Sequence, residues 1–357
     1  MKKALIVFFT FIIAFNDLHA QTTSAAYKGR VDIISNNIYK YFYASSNSLY
    51  YETNHVQPDE KKHSYLWPLC ALFQAANEAE DAEPSKDYLS HVLRAIDQYY
   101  SDTIPAPAYQ AYVRKEKKDD RFYDDNQWIA IACLDAYNRT KQQHYLYIAE
   151  IIYRFMMTGY DTVSGGGLYW KEGDKTTKNT CSNGPGILVA LQLYKITGNK
   201  NYLDTALILY KWVKAHLQSP EGVYYDNIKL PSLKIDSAVY TYNTGTMLQS
   251  NVLLYEITRD KKYLNEAERI AQVAEQFFYK SGKLPGNYWF NAVLLRGYIE
   301  LYKVDHNKQQ LQFFIHDADR IWNEEKDDKD LLGRNNKRKS LIDQAAMMEI
   351  YARLSVL

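Results

Sequence analysis

Two adjacent carboxylates, Asp124 and Asp125, stand just before an apolar run. The run from Trp128 to Tyr137 repeats at three- and four-residue steps, which predicts a helix with the pair at its N-cap and first turn. Two carboxyl groups are the minimum equipment for hydrolysing a glycosidic bond, one attacking or directing water and the other protonating the leaving oxygen. Their mutual repulsion separates the two proton dissociations, so one can be an acid while the other is an anion. Helix capping is the alternative role, and an isolated Asp-Asp usually has that role alone.

Other chemistries find little support in the sequence. The histidines are scattered, and neither a His-Glu-x-x-His zinc motif nor a Gly-x-Ser-x-Gly elbow occurs. The glycine run Gly165–Gly167 follows a predicted helix and lacks the spacing of a phosphate-binding or dinucleotide-binding loop. The carboxylate pair therefore remains the main candidate for catalysis.

A repeated motif indicates the scaffold that must position this pair. Tyrosine followed by leucine, with an aliphatic residue three positions after the leucine, recurs at intervals of 57, 57 and 61 residues, at Tyr88, Tyr145, Tyr202 and Tyr263. A repeat of this length predicts a recurring supersecondary unit. Few segments alternate with period two, so little sheet is expected.

Each unit is predicted to hold two helices, which gives six pairs and an all-α fold. The more apolar helices are predicted at 67–79, 125–139, 183–197, 242–258, 289–303 and 341–354, and the more charged ones at 24–44, 85–100, 142–157, 200–217, 261–279 and 307–325. An open solenoid would need polar end repeats. The alternative is a closed (α/α)6 barrel of six inner and six outer helices, and this is the fold we predict.

In such a barrel the inner helices run the same way, so their first residues meet at one end. The predicted substrate-binding residues at that end are Trp67, Asn126, Trp128, Asn183, Tyr242, Asn243, Trp289 and Asp343, joined by Tyr169 and Trp170 from a loop. Aromatic faces stack on sugar rings, and amides, carboxylates and phenols bond hydroxyls. Packing alone is the alternative for each aromatic residue in a chain that is 15% aromatic.

The N-terminus predicts export. Lys2 and Lys3 precede a short apolar run, and a small residue at Ala20 suits cleavage, so residues 1–20 are predicted to be a signal peptide and residues 21–357 a single catalytic domain. Residues 1–20 hold two of the 43 basic and one of the 42 acidic residues, which leaves a neutral mature chain. Nucleic acid is therefore not an expected partner. No later segment is apolar enough to span a membrane.

The three cysteines, Cys70, Cys133 and Cys181, are too few and odd in number for a closed disulfide framework. Cys70 and Cys133 lie within apolar helical runs, so buried thiols are expected, while one disulfide among the three stays open.

Four stretches in order resemble glycoside hydrolase family 76. They are Tyr-Asp-Asp-Asn-Gln-Trp at 123–128, Gly-Leu-Tyr-Trp at 167–170, Asn-Thr-Cys-Ser-Asn-Gly-Pro at 179–185 and Thr-Tyr-Asn-Thr-Gly at 241–245, and the resemblance extends over about residues 25–355. It implies an (α/α)6 barrel and a retaining endo-α-1,6-mannanase. It also implies Asp124 as the nucleophile, Asp125 as the acid/base, and neither metal nor cofactor.

The sequence therefore predicts a monomeric, exported enzyme, periplasmic or secreted, that cleaves the backbone of fungal or related α-1,6-mannan. Two alternatives stay open. One is a different enzyme on the same barrel, such as an unsaturated-uronide hydrolase or a sugar epimerase. An epimerase is expected to have histidines in the cleft, and none of the predicted inner-helix starts supplies one. The other is a non-catalytic glycan-binding protein.

Overall fold

The computed structural model of this chain describes residues 24–334 and 337–357, and the predicted signal peptide lies outside them. Twelve α-helices dominate the described residues, which confirms the all-α prediction. One set comprises α2 (Leu66–Ala82), α4 (Tyr123–Thr140), α6 (Thr180–Thr197), α8 (Thr241–Thr258), α10 (Tyr288–Asp305) and α12 (Leu341–Ser355). The other comprises α1 (24–42), α3 (Leu89–Ile96), α5 (Gln143–Met157), α7 (Lys200–Leu217), α9 (Lys261–Phe278) and α11 (Gln312–Glu324).

The first set forms a closed inner ring. Each inner helix packs against the next along the chain, and α12 packs against α2 to complete the circle. The outer helices α3, α5, α7 and α9 pack against the inner helix that precedes each of them or lies beside it. The closure confirms the (α/α)6 barrel and excludes the open solenoid.

Short turns give the inner helices their common direction. Four inner helices end at a residue with left-handed backbone, a common helix terminator: Lys141, Gly198, Arg259 and His306. The next helix follows within a few residues, with Asn199 and Asp260 capping α7 and α9 through side-chain oxygens. Because the chain reverses at each turn, every inner helix begins at the same end of the barrel.

Two glycines allow the closest approach in the ring, between α8 and α10. A Cβ added at Gly245 would lie 2.6 Å from the Cα of Leu294, and one added at Gly297 would lie 2.8 Å from the carbonyl oxygen of Gly245. Neither clash can be relieved by a side-chain rotation, since backbone meets backbone. The glycine that ends the motif at 241–245 is therefore explained by helix packing.

The structure contains more sheet than the sequence predicted. Besides two small hairpins, β1 (Tyr43–Ala44) with β2 (Leu49–Tyr50) and β3 (Tyr100–Ser101) with β4 (Ala108–Tyr109), a four-stranded antiparallel sheet joins β5 (Tyr169–Lys171), β6 (Asp174–Asn179), β7 (Tyr225–Lys229) and β8 (Lys234–Val239). Its strands carry polar side chains on both faces and expose many of them, so they lack the apolar alternation that would reveal them. Strands β6 and β8 lead into α6 and α8, so the sheet lies at the inner-helix start end.

One predicted helix is much shorter in the structure. The prediction covered 85–100, but α3 ends at Ile96 and a 3-10 turn, Asp97–Tyr99, leads into β3. Tyr99 is buried and donates a hydrogen bond to the carbonyl of Ser64 at 2.6 Å, while Tyr100 pairs with Tyr109 in the hairpin. These long-range contacts override the local helical pattern.

Candidate active site

Helix α4 positions the carboxylate pair. Its N-cap is Phe122, with extended backbone and no capping side chain, so Asp124 and Asp125 occupy the first turn and the predicted N-cap position is wrong. The Oδ1 atom of Asp124 accepts a hydrogen bond from the backbone N–H of Asp125 at 3.1 Å. Both residues line the cleft in front of them.

That cleft has a volume of about 460 Å³ and opens at the inner-helix start end. Aromatic and acidic side chains dominate its lining, which consists of Tyr65, Trp67, Ala111, Asp119, Asp120, Phe122, Asp124, Asp125, Trp128, Trp170, Tyr242, Trp289 and Phe290. This set includes no lysine, arginine or histidine. Within the described part of the chain, the cleft is therefore suited to an uncharged ligand with flat apolar faces.

The aromatic residues form a connected cluster around Trp289. Its ring centroid lies 5.8 Å from that of Trp67, 5.3 Å from that of Trp128 and 6.5 Å from that of Tyr242. Tyr242 in turn stacks on Phe290 with centroids 4.0 Å apart. Because each ring is held by its neighbours, the cluster presents a preformed surface.

Trp170 closes the cleft over the carboxylate pair. It is 40% exposed and packs on Phe122 with ring centroids 4.9 Å apart. Its indole N–H donates a hydrogen bond to the Oδ2 atom of Asp124 at 3.1 Å. An isolated bridge between Phe122 and Lys171 fixes β5 against the start of α4, which keeps Trp170 in this position.

The environment separates the pKa values of the two carboxyl groups. Burial raises the pKa of Asp124 to about 6, against opposing hydrogen bonds from the Cys181 thiol and Trp170 that favour the anion. Burial and then the charge of Asp124 raise the pKa of Asp125 well above its ordinary value. Near neutral pH the arrangement therefore favours an ionised Asp124 beside a protonated Asp125.

Five predicted binding residues, Trp67, Trp128, Trp170, Tyr242 and Trp289, line the cleft beside the pair. Five others do not: Asn126, Asn183, Asn243, Tyr169 and Asp343. The structure places these five residues outside the cleft lining.

Asn126 and Asn183 hold loops onto inner helices. The side-chain oxygen of Asn126 accepts from the N–H of Tyr109 at 2.7 Å, and its amide donates to the carbonyls of Tyr109 and Phe122. Asn183 makes the same three bonds with Leu168 and Asn179. Both side chains are fully buried, so they position the chain and do not reach the cleft.

The other three also lie away from the cleft lining. The hydroxyl of Tyr169 donates to Asp161 at 2.8 Å, and its ring packs near the buried ammonium of Lys178 on the opposite face of β5 from Trp170. The backbone N–H of Asp343 is capped by Ser340, and its carboxyl group lies near Gly333. Asn243 is fully buried, and its amide oxygen has no hydrogen-bond partner within the described residues.

Several cleft residues were not predicted. Tyr65 and Phe122 lie just before the predicted helices at 67–79 and 125–139, and Phe290 is the second residue of the predicted helix at 289–303, so closeness to a helix start was the available signal. Asp119 and Asp120 belong to a mixed-charge stretch that resembles a solvated loop, but they lie at the rim, paired with Lys61 and Lys171.

Two further residues approach the pair from the sheet side. The Cys181 thiol hydrogen-bonds the Asp124 carboxylate and also contacts the Tyr242 hydroxyl. Asp226 on β7 is close enough for its charge to raise the pKa values of Cys181 and Tyr242. Burial raises the pKa of Asp226 itself. All three cysteines are buried and free, so the disulfide left open by the sequence does not form.

Comparisons with known proteins define the class. Residues 26–291 match glycosyl hydrolase family 76, and the chain belongs to this family. It is 28% identical over 204 residues to a mannan endo-1,6-α-mannosidase of Saccharomyces cerevisiae, a match covering 51% of this chain and 45% of that relative. The chain thus spans about half the length of the curated relatives it matches.

Solved structures agree over nearly the whole chain. A family 76 mannosidase from Bacteroides thetaiotaomicron VPI-5482 superposes with a TM-score of 0.85 at 26% identity, covering 93% of this chain and 98% of that one. A family 76 α-mannanase from Bacteroides thetaiotaomicron gives a TM-score of 0.86 at 26% identity, covering 92% and 95%. The resemblance in the sequence motifs is therefore confirmed at the level of family and fold.

Proposed function

We propose that this protein is a retaining glycoside hydrolase that cleaves internal linkages of an α-1,6-mannan backbone. The observation that carries the proposal is the carboxylate pair in an aromatic cleft, with the pKa of Asp125 raised further than that of Asp124. The capping role does not account for this pair, because α4 has no side-chain cap at its N-terminus.

In the first step the Asp124 carboxylate attacks the anomeric carbon of a bound mannosyl unit. Asp125 gives its proton to the glycosidic oxygen, the bond between that oxygen and the anomeric carbon breaks, and an ester to Asp124 forms. The hydrogen bonds from Trp170 and Cys181 keep Asp124 oriented and ionised before the attack. Because its pKa is raised, Asp125 is protonated near neutral pH and can donate this proton.

In the second step Asp125, now an anion, takes a proton from water. The resulting hydroxide oxygen bonds to the anomeric carbon while the ester bond to Asp124 breaks, which regenerates both starting protonation states. Two inversions at one carbon return the original configuration. The new reducing end formed in this second step is therefore the α-anomer before mutarotation.

The cleft supports a neutral polysaccharide as the substrate. Its lining holds four carboxylates without a basic residue among the described residues, which disfavours an anionic uronide. It also holds no histidine, which disfavours the epimerase alternative. The named activities of the yeast and Bacteroides relatives favour mannan within the class of neutral glycans.

We also propose that the chain is exported to the periplasm or the medium and acts as a monomer. The predicted signal peptide supports export. None of the helices in the described ranges is both long enough and apolar enough to cross a bilayer.

The test is incubation of the purified protein with unbranched α-1,6-mannan, followed by chromatography and early proton NMR of the anomeric region. A ladder of short oligosaccharides that appear first as α-anomers is expected. Mannose alone would contradict endo cleavage, and initial β-anomers would contradict the double displacement. Binding of mannan without any turnover would favour the glycan-binding alternative.

A further inference from the structure

A second cavity lies at the opposite end of the barrel, where the inner helices finish. Its volume is about 690 Å³, within the range of roughly 300–1,000 Å³ typical of small-molecule sites. All six inner helices contribute to it, α2 through Glu78, α4 through Asp135, α6 through Gln192, α8 through Gln249, α10 through Arg296 and α12 through Arg353. The proposed catalytic mechanism uses none of these side chains.

The lining of this far cavity holds six basic and four acidic side chains, and among the described residues all the basic groups except Lys141, whose ammonium lies 5.5 Å from the ring centroid of Tyr137, have carboxylate partners. Arg296 makes two hydrogen bonds of 2.6 and 2.7 Å to Glu349, and Arg353 reaches both Glu349 at 2.9 Å and Glu78 at 3.0 Å. The basic groups Arg139, Lys195 and Lys303 also have carboxylate partners. A phosphate or other anion would have to compete with these carboxylates, and a polyamine would meet the arginines.

Amide groups supply the free hydrogen-bonding capacity. Gln192 is 8% exposed, and its buried side-chain oxygen has no hydrogen-bond partner in the described part of the chain. Its amide nitrogen donates to Asp135 at 3.3 Å. Gln249 is equally buried and lies on the same wall. A buried polar atom without a hydrogen-bond partner destabilises the protein, so a ligand that donates a hydrogen bond to the Gln192 oxygen would gain affinity.

We propose that the far cavity binds a neutral saccharide of one or two rings. Sugar hydroxyls donate and accept hydrogen bonds, so they suit a wall that combines an unpartnered amide oxygen with charged groups that are mostly paired with one another. The walls are too polar for an apolar ligand, while Ile131 and Leu253 offer limited apolar contact.

The far cavity is separated from the catalytic cleft by a thin layer of side chains. Trp128 lines the cleft, and the guanidinium of Arg296, which lines the far cavity, lies 5.4 Å from its ring centroid. Because the two linings share no residue, each cavity has its own side chains whose NMR signals can report binding. The methyl groups of Ile131, Ile196 and Leu253 line the far cavity, and the indole N–H of Trp170 reports on the cleft.

The experiment is a titration of the full protein, labelled at isoleucine and leucine methyl groups and tryptophan indoles, followed by NMR. The probes are mannose and α-1,6-mannobiose, a choice that rests on the proposed function, with glucose, spermidine and inorganic phosphate for comparison. Saturable shifts of the Ile131, Ile196 and Leu253 methyls with a sugar are expected. Turnover is not part of this readout, so failure to hydrolyse mannan would leave its outcome unaffected.

Three variants locate the response. Gln192→Leu keeps side-chain volume and should weaken the methyl response at least about tenfold, with Gln249→Leu as a second variant and thermal unfolding as the check on folding. Trp170→Ala should remove the indole reporter and leave the methyl response in place. Shifts confined to cleft reporters, shifts produced only by spermidine or phosphate, or a response unchanged in both glutamine variants would overturn the proposal.

Discussion

Acidic side chains are buried at both ends of the barrel, but their surroundings differ. At the helix-start end, Asp124 and Asp125 lie together without a cation in the described cleft lining, and burial raises both pKa values. At the helix-finish end, burial opposes ionisation of Glu349, but the guanidinium groups of Arg296 and Arg353 lower its pKa overall. The two arginines therefore stabilise Glu349 as an anion, whereas the cleft leaves two carboxyl groups in conflict.

This difference separates structural from functional use of the same residue type. A buried carboxylate with two arginines is stable as an anion and has no proton to give. A carboxyl group held beside another carboxylate keeps its proton near neutral pH, and such perturbed groups concentrate at functional sites. The predictions below test that division, beginning with the largest effect.

The largest expected effect is the loss of turnover in Asp124→Asn. Removal of the nucleophile should lower activity on every substrate by about 10⁴- to 10⁶-fold, because the covalent intermediate cannot form. Asp125→Asn should lose about 10²- to 10⁴-fold on mannan but retain activity on a mannoside with an activated leaving group. Steady-state rates on both substrates provide the measurement, and the opposite pattern would exchange the two roles.

The same variants should make the protein more stable at neutral pH. Folding raises the pKa of these carboxyl groups, so each one favours the folded state fully when the pH is below its pKa in the unfolded chain. That contribution is lost as the pH rises through the pKa in the folded protein, which is about 6 for Asp124. At pH 7 each Asp→Asn change should therefore raise the unfolding free energy by on the order of 1–2 kcal/mol. Urea unfolding at pH 4 and pH 7 measures the free energy of unfolding of each variant against the wild type. A gain in stability at pH 7 that is equal to or smaller than the gain at pH 4 would contradict the assigned pKa directions.

The far end should respond in the opposite way. Arg296→Met leaves Glu349 with one arginine in a fully buried position, and breaking a buried pair typically costs about 3–5 kcal/mol. The double variant Arg296→Met with Glu349→Met should be less destabilised than the single one, because no buried charge is left over from that pair. Urea unfolding of the wild type, the single variant and the double variant measures these differences. A free energy of unfolding for Arg296→Met within about 1 kcal/mol of the wild type would refute the structural role of the Arg296–Glu349 pair.

The sequence revealed the barrel more completely than the site. Continuous apolar runs such as 129–137 and the recurring Tyr-Leu motif depend on local pattern, so the helices and their pairing could be predicted. The roles of Asn126 and Asn183 could not, because an amide near a helix start looks the same whether it bonds a sugar or an incoming strand. The distinction depends on the tertiary contacts that bring the backbone N–H groups of Tyr109 and Leu168 to these amides, and the sequence around each asparagine does not contain that information.

A fourth prediction concerns one of these amides. Asn183→Ala removes two hydrogen bonds to Leu168, two residues before Trp170, and one to Asn179, and should cost about 1–3 kcal/mol. Because Trp170 closes the cleft, the KM for mannan should also rise. Gln344→Ala is the matched control, since Gln344 holds Leu332 by equivalent bonds away from the cleft. A similar loss of stability without a change in KM is expected there, and equal KM effects in both variants would remove the link to Trp170.

The smallest expected effect concerns the thiol beside the nucleophile. The Cys181 thiol hydrogen-bonds Asp124 and favours its anion, so the pKa of Asp124 depends on the strength of that bond. A hydroxyl donates more strongly than a thiol, and Cys181→Ser should therefore shift the acid limb of kcat/KM to lower pH by a few tenths of a unit. Cys181→Ala removes the donor and should shift the same limb to higher pH.

Cys70→Ser is the control, because the Cys70 thiol donates a hydrogen bond to the backbone carbonyl of Asp125 at 3.2 Å and not to a carboxylate. Opposite shifts in the two Cys181 variants with an unmoved limb in Cys70→Ser would identify Cys181 as a positioning residue for the nucleophile, whereas identical profiles in all three would limit its role to packing.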